Sequence, residues 1–302
     1  MCPFRAAAVA DVLQLAPDVP IRALMTDRSE IFEAAGRRLR AARNYDGGFG
    51  PGPAAPSEPE PTALAAIALG DDGARRWLMQ RQRDDGSFGI VQGFVRDEGA
   101  TGLAALAAGP GLTRERALDR LEELEGEPLE SSAAVPLDGS IRGWPWVGGT
   151  AGWVEPTARS LLALRLFRPG SLRIGEAMAF LRDRRCVGGG WNYGNREVLG
   201  EDLPPFAHTT ATALVGLHGL DDALEHQGAA RLRDLWRRER AGGISVALSL
   251  AVFRIRGDRD EASGAADVLA DIVAHTDLLG DPVAAAWAAI ATGPGVHALE
   301  AP

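Results

Sequence analysis

Six short stretches of the chain are apolar on nearly every side, and more polar stretches separate them. The apolar stretches start at Glu60, Glu98, Glu155, His208, Gly243 and Asp281. Each opens on a polar residue, a glycine or a proline and then runs through Ala, Leu and Ile, as in Glu60-Pro-Thr-Ala-Leu-Ala-Ala-Ile and Glu155-Pro-Thr-Ala-Arg-Ser-Leu-Leu. A helix that is apolar all round is a buried helix. Proline in its first turn costs nothing, because that N–H has no partner inside the helix. The intervening residues 74–83, 114–124, 174–185, 229–240 and 261–274 carry one apolar stripe instead. Arg75, Arg76, Arg81 and Arg83 alternate with Trp77, Leu78 and Met79, as a half-exposed helix requires.

The pattern predicts six inner helices and about six outer ones, with starts recurring every 35 to 57 residues, the range of helical-pair repeats. The expected fold is all-α, a closed (α/α)6 toroid in a single domain. An open solenoid would need end repeats with polar outer faces, and the last inner stretch is as apolar as the others. Residues 1–30 read as an N-terminal packing arm, 31–295 as the toroid of six helical hairpins and 296–302 as a tail. Residues 50–60 form a Pro-rich surface loop. Residues 136–156 and 192–207 are longer connections rich in aromatics, the kind of loop that carries function on a rigid scaffold.

Composition narrows the function. The net charge of −9 argues against nucleic acid as a partner. All 32 basic residues are arginine, which excludes Schiff-base and P-loop lysine chemistry. Cys2 and Cys186 cannot form a disulfide framework; both read as packed or terminal thiols. No apolar run approaches the ~20 residues of a membrane span, and Met1-Cys-Pro-Phe-Arg5 does not follow signal-peptide order. A soluble, cytoplasmic protein without integral membrane contact is expected.

The turns between outer and inner helices share a second signature: Gln82-Arg-Asp-Asp-Gly86-Ser-Phe88, Asp46-Gly47-Gly48-Phe49 and Gly188-Gly-Gly190-Trp191-Asn-Tyr193. Over residues 31–290 this resembles the glutamine–tryptophan repeat of squalene–hopene cyclases and the glycine-rich repeat of protein prenyltransferase β subunits. Locally, glycine lets the chain reverse, the aromatic wedges between helical pairs and the glutamine bridges helix ends. The resemblance implies a terpenoid cyclase-like or prenyltransferase-like toroid with an isoprenoid ligand along its axis. Its catalytic signatures do not carry over: Asp-x-Asp-Asp and Asp-Asp-x-x-Asp are absent. His208-Thr-Thr-Ala-Thr resembles the histidine part of the prenyltransferase zinc set, whose Asp-x-Cys part has no counterpart. Those β subunits also need a partner chain, on which this sequence is silent.

If the inner helices run parallel, their starts set Glu60 (with Glu58), Glu98, Glu155, His208, Ser245 and Asp281 around one rim. Acidic residues near helix N-termini offset the dipole by ~0.3–1 kcal/mol each. As a ring they are also candidate catalytic groups, either as an acid activated by its surroundings or, as two carboxylates with His208, as a divalent cation site for Mg²⁺ or Zn²⁺. No cofactor motif is complete. Trp144, Trp146, Trp153, Trp191, Tyr193 and Trp287 are the candidate substrate-binding residues, since aromatic faces stabilise a cation. Wedge packing is the competing role, strongest for Trp191. Arg96, Arg142 and Arg196 sit in loops toward the rim and could clamp phosphate. Three functions remain open: processing or binding of an isoprenoid-like ligand, carbohydrate chemistry with paired carboxylates, and a non-catalytic binding toroid.

Overall fold

A computed structural model describes residues 28–91, 93–94, 96–132, 134–276 and 281–300. Most of the expected N-terminal arm, with Cys2, lies outside the described residues, as do residues 301–302 of the expected tail. Among the described residues twelve α-helices alternate between two layers. The inner ones are α2 (Pro59–Leu69), α4 (Thr101–Ala107), α6 (Val154–Phe167), α8 (Ala207–Leu217), α10 (Gly243–Arg256) and α12 (Pro282–Thr292). The outer ones are α1 (Arg28–Ala41), α3 (Asp72–Arg81), α5 (Leu112–Glu123), α7 (Arg173–Asp183), α9 (Asp222–Arg238) and α11 (Arg259–His275). The strands among the described residues, β1 (Glu197–Val198) and β2 (Glu201–Asp202), pair antiparallel in a rim loop.

Each inner helix packs on the next in the order α2, α4, α6, α8, α10, α12, and α12 packs back on α2. The ring is therefore closed. Outer helices cover the inner helix that precedes them, except that α1 covers α12 and joins the two ends of the chain. Inner helices are buried along almost their whole length, as the apolar stretches predict. Outer helices bury a stripe at i, i+3 and i+4: Ala74, Trp77 and Leu78 in α3; Ala117, Leu118 and Leu121 in α5; Ala177, Phe180 and Leu181 in α7. Small residues bring the inner helices into backbone contact. A Cβ on Gly102 of α4 would lie 2.8 Å from the Arg159 carbonyl of α6, and one on Gly216 of α8 would lie 2.6 Å from the Ala158 carbonyl oxygen. At the opposite end a 3₁₀ helix, Pro294–Leu299, packs on α2, α10 and α12. Arg165 of α6 donates there to the carbonyls of Val215, Gly216 and Leu299. Burial lowers its pKa to about 10 against the opposing field of Glu225, and it stays charged at neutral pH.

One backbone clamp repeats at four of the six helix entries. A threonine hydroxyl near the start of the inner helix accepts the N–H of the aromatic in the preceding turn. The pairs are Phe49 with Thr62 (2.9 Å), Phe88 with Thr101 (3.0 Å), Trp144 with Thr157 (2.9 Å) and Trp191 with Thr210 (2.9 Å). In three of them the aromatic's carbonyl also accepts the N–H of the residue four positions before the threonine, from Glu58, Trp153 and Phe206. All four aromatics are fully buried. The two tryptophans tie in the outer layer as well, with Nε1 of Trp144 donating to Leu121 and Nε1 of Trp191 to Leu181. Gln82 donates to the carbonyls of Gly86 and Thr113, joining the turn to the start of α5.

The clamp makes a stability prediction. Thr157→Val keeps the side-chain volume but leaves the Trp144 N–H buried without an acceptor, a loss of roughly 1–3 kcal/mol. Urea denaturation should show the midpoint falling with an unchanged m-value. An unchanged midpoint would show that the clamp contributes nothing.

Candidate active site

The clamp fixes a common register at one end of the ring. Two residues before the threonine stand Glu60, Gly99, Glu155 and His208; two residues after it stand Leu64, Leu103, Arg159 and Thr212. Glu60, Glu155 and His208 thus share one rim, with the starts of α10 and α12 completing the circle. Helix α4 begins only at Thr101, so Glu98 lies before it and out of register. Its side chain turns to the outer layer, where both oxygens accept from Arg120 of α5 at 2.7 and 2.9 Å. Glu98 lines a separate polar cleft of about 480 Å³ with Asp85, Arg120, Glu123, Arg96 and Arg142.

The aromatic candidates divide in the same way. Trp144 and Trp191 are clamped wedges like Phe49 and Phe88, and do not reach the rim. Two residues further on, Trp146 and Tyr193 do. Trp146 is half-buried and faces the Arg159 guanidinium, whose carbon lies 5.2 Å from the ring centroid. Tyr193 stands 5.6 Å from the His208 ring, and Phe206 stacks on His208 at 6.1 Å. Trp153, the residue before α6, is 40% exposed. Trp287 is buried on α12. Arg142 pairs with Glu125, and Arg196 donates to the Pro136 carbonyl. The Asn192 amide donates to Asn195 and Pro204, which orders its own loop.

Between the starts of α8, α10 and α12 lies a hollow of about 330 Å³. Its walls are His208, Gly242, Gly243, Ile244, Ser245, Asp281 and Ala284. One Asp281 oxygen accepts the Val283 N–H at 2.8 Å and caps α12. Ser245 donates to Glu239 at 3.2 Å, and the same carboxylate accepts the Ala207 N–H. Glu239 therefore joins the start of α8, which carries the aromatic–threonine clamp, to that of α10, which does not. Sequence reasoning passed over it because it closes an outer helix. The available signal was its place just before Gly242-Gly243.

The opposite side of the mouth is charged. Nη2 of Arg159 lies 2.9 Å from Glu60 of α2 and 3.8 Å from Glu155 on its own helix. Since α4 separates α2 from α6 in the ring, this ion pair reaches past it. Arg159 is only 8% exposed, and its Nε and Nη1 have no hydrogen-bond partner. Burial opposes the charge, but Glu60 and Glu155 outweigh it and hold the guanidinium above its ordinary range. Nearby, Glu58 is held above the usual carboxylate range, first by burial and then by the charges of Glu60 and Asp97. Burial also raises the Tyr193 phenol, with Glu155 and Glu239 adding to it. The Cys186 thiol is buried and raised by that burial, an unreactive packed group.

Among the described residues no three His, Cys, Asp or Glu side chains gather closely enough to hold a metal ion. The Asp-x-Cys half of a prenyltransferase-type zinc set is missing from the chain, and Cys186 is packed below the fourth turn. The residues present do not fit a zinc centre of that kind. No helix among the described residues is long and apolar enough to cross a membrane.

No protein-family model matches the chain, and no curated protein sequence matches it. Solved structures do. The type II terpene cyclase MstE from Scytonema, without ligand, superposes with a TM-score of 0.55 at 19% identity, over 85% of this chain and 81% of that one. MstE has also been solved with its substrate geranylgeranyl dihydroxybenzoate and its product merosterolic acid A. The GH76A α-1,6-mannanase from Salegentibacter sp. HEL1_6 superposes with a TM-score of 0.59 at 11% identity, over 88% of this chain and 99% of that one. Salmonella α-2-macroglobulin superposes at 0.50 with 14% identity, over 85% of this chain and 17% of that one. At these identities the likeness is one of fold: this chain has an all-α toroid like those of MstE and the mannanase.

Glu58 gives the site a pH signature. A carboxyl whose folded pKa lies above its unfolded one is penalised once it ionises, so stability falls as pH rises through that interval. Below the unfolded value of about 4.3 both states are protonated and the penalty vanishes. Because Glu58 makes no capping hydrogen bond, Glu58→Gln should stabilise the protein at pH 7, with the gain disappearing below about pH 4. Thermal melts of both proteins across that range measure it, and a pH-independent difference would contradict the assignment.

Proposed function

We propose that the protein binds a small apolar, isoprenoid-like ligand at the mouth of the toroid, and that His208 is the group that handles a proton there. The observation that carries this reading is the 330 Å³ hollow, which falls at the lower end of small-molecule pocket volumes. It combines apolar wall, from Ile244 and Ala284, with a few convergent polar groups, His208, Ser245 and Asp281. Such a mixture buries a chain and orients one functional group.

The residues divide the work by their chemistry. His208 has an imidazole that can accept or donate a proton, and Tyr193 and Phe206 pack around it. Aromatic faces stabilise a positive charge, whether on an imidazolium or on a carbon of the ligand. Asp281, anchored through one oxygen, keeps a carboxylate at the wall. Glu239 holds Ser245 in place and is a positioning residue. The fold shared with the terpene cyclase MstE supports an isoprenoid over other apolar chains, and the shared fold of the mannanase keeps a sugar as the rival ligand. The absence of Asp-x-Asp-Asp separates any chemistry here from proton-initiated cyclisation on that motif.

Titration with the isoprenoid alcohol farnesol, followed by calorimetry and native mass spectrometry, tests the reading. One farnesol per chain is expected. Ala284→Leu, which fills the hollow, should weaken binding at least tenfold, about 1.4 kcal/mol. Absence of farnesol binding, binding untouched by Ala284→Leu, or preferential binding of α-1,6-mannobiose would overturn it.

A further inference from the structure

The polar side chains that line the hollow at α8, α10 and α12 are short of donors. Ser245 donates its proton to Glu239 at 3.2 Å, so what its Oγ has left is lone pairs. Asp281 uses one oxygen on the Val283 N–H, and its other oxygen has no hydrogen bond or ion pair among the described residues. The His208 ring makes no hydrogen bond among the described residues either, and a neutral imidazole has one nitrogen that accepts and one that donates. Three acceptors thus stand against a single side-chain donor. No arginine lines the hollow, and Asp281 makes it negative. The first-turn N–H groups of α10 lie at its edge, but the Glu239 carboxylate bound to Ser245 there offsets their partial charge. The Tyr193 phenol beside His208, raised first by burial, is raised further by Glu155 and Glu239, so the field on that side is negative as well. An occupant that covers these acceptors has to bring donors of its own, since a polar group buried without a partner is penalised. An alcohol brings one donor and no charge, and a diphosphate brings acceptors and the wrong charge.

We propose that the ligand of the hollow is an amphiphilic amine: its protonated primary amino group donates to the free Asp281 oxygen, with Ser245 Oγ and the His208 ring accepting its other N–H bonds, while its apolar chain lies along Ile244 and Ala284. This rests on the ligand-binding reading above and names the head group of that ligand. A primary ammonium is a compact charge with three donors and no acceptor, the complement of what the hollow presents. Asp281 supplies the opposite charge, and a hydrogen bond between ionised partners is roughly twice as strong as a neutral one. Tyr193 and Phe206 pack on the imidazole and fix its place. Glu239 takes the Ser245 proton and so keeps the hydroxyl turned to accept; all three are positioning residues.

Four probes with the same chain separate the cases: farnesylamine, N,N,N-trimethylfarnesylammonium, farnesol and farnesyl diphosphate, each titrated calorimetrically into the intact protein at physiological ionic strength. Farnesylamine should bind at least about tenfold more tightly than farnesol, and farnesyl diphosphate more weakly than farnesol. The trimethylammonium compound keeps the charge and loses every N–H donor, so it should bind at least about fivefold more weakly than farnesylamine. Ala284→Leu should weaken farnesylamine at least about tenfold, which separates the hollow from a general attraction of amines to this acidic chain. Asp281→Asn keeps a capping oxygen for α12 and removes the charge; the farnesylamine-to-farnesol affinity ratio should fall below about threefold. If circular dichroism shows that variant to be misfolded, the trimethylammonium comparison in the wild type decides. Farnesol or the trimethylammonium compound bound as tightly as farnesylamine, a ratio unchanged by Asp281→Asn, farnesylamine binding that survives Ala284→Leu, or farnesyl diphosphate as the tightest probe overturns this inference, and the site reading then stands on farnesol alone. Failure of all four to bind overturns both.

Discussion

A threonine hydroxyl that accepts the backbone N–H of a buried aromatic is the contact on which the other features depend. It ties the end of each turn to the first turn of the inner helix that follows, at Thr62, Thr101, Thr157 and Thr210. Because the hydrogen bond sets both the height and the rotation of the helix, it also decides which neighbouring residues share the rim. Glu60, Glu155 and His208 meet at one mouth for that reason. Glu98, one residue out of register, turns instead to Arg120 in the outer layer. Among the described residues the fifth and sixth inner helices show no such clamp. There the Glu239 carboxylate and the Asp281 cap stand in for it, and the hollow opens between them.

The mouth is consequently uneven, and its chemistry follows from that. On one side an ion pair spans the ring from α6 to α2, buried and over-supplied with carboxylate. On the other, small and apolar residues leave room beside an imidazole and a hydroxyl. The toroid's likeness to MstE and to the mannanase is a likeness of scaffold, and the side chains of the mouth are this chain's own.

Much of this architecture was legible in the chain itself. All-round apolar stretches and striped ones have different periodicities, so the inner and outer layers separate without any structure. The recurrence of glycine before an aromatic marks the turns. The third turn in chain order, Gly143-Trp144, has neither the Asp-Gly nor the Gly-Gly lead of the other three, and Trp144, expected at the rim, is a wedge. Register was the harder quantity. The repeats differ by one residue in how the loop enters the helix, and only the hydrogen bond to Thr101 reveals that Gly99, not Glu98, is the counterpart of Glu60. Arg159 was hidden within an apolar helix, where a charge four residues after Glu155 reads as an ordinary intrahelical pair. Its reach to Glu60 depends on ring closure, which no local pattern encodes. The joining of α1 to α12 is invisible for the same reason.

Hydrogen–deuterium exchange with and without farnesol tests the central claim, that the inner-helix starts form a ligand mouth, because it reads every helix entry at once. Slower exchange confined to the first turns of α6, α8, α10 and α12, with the rest of the toroid unchanged, is the predicted result. Protection centred on the outer cleft around Asp85 and Arg120, or no protection at saturating farnesol, would contradict it.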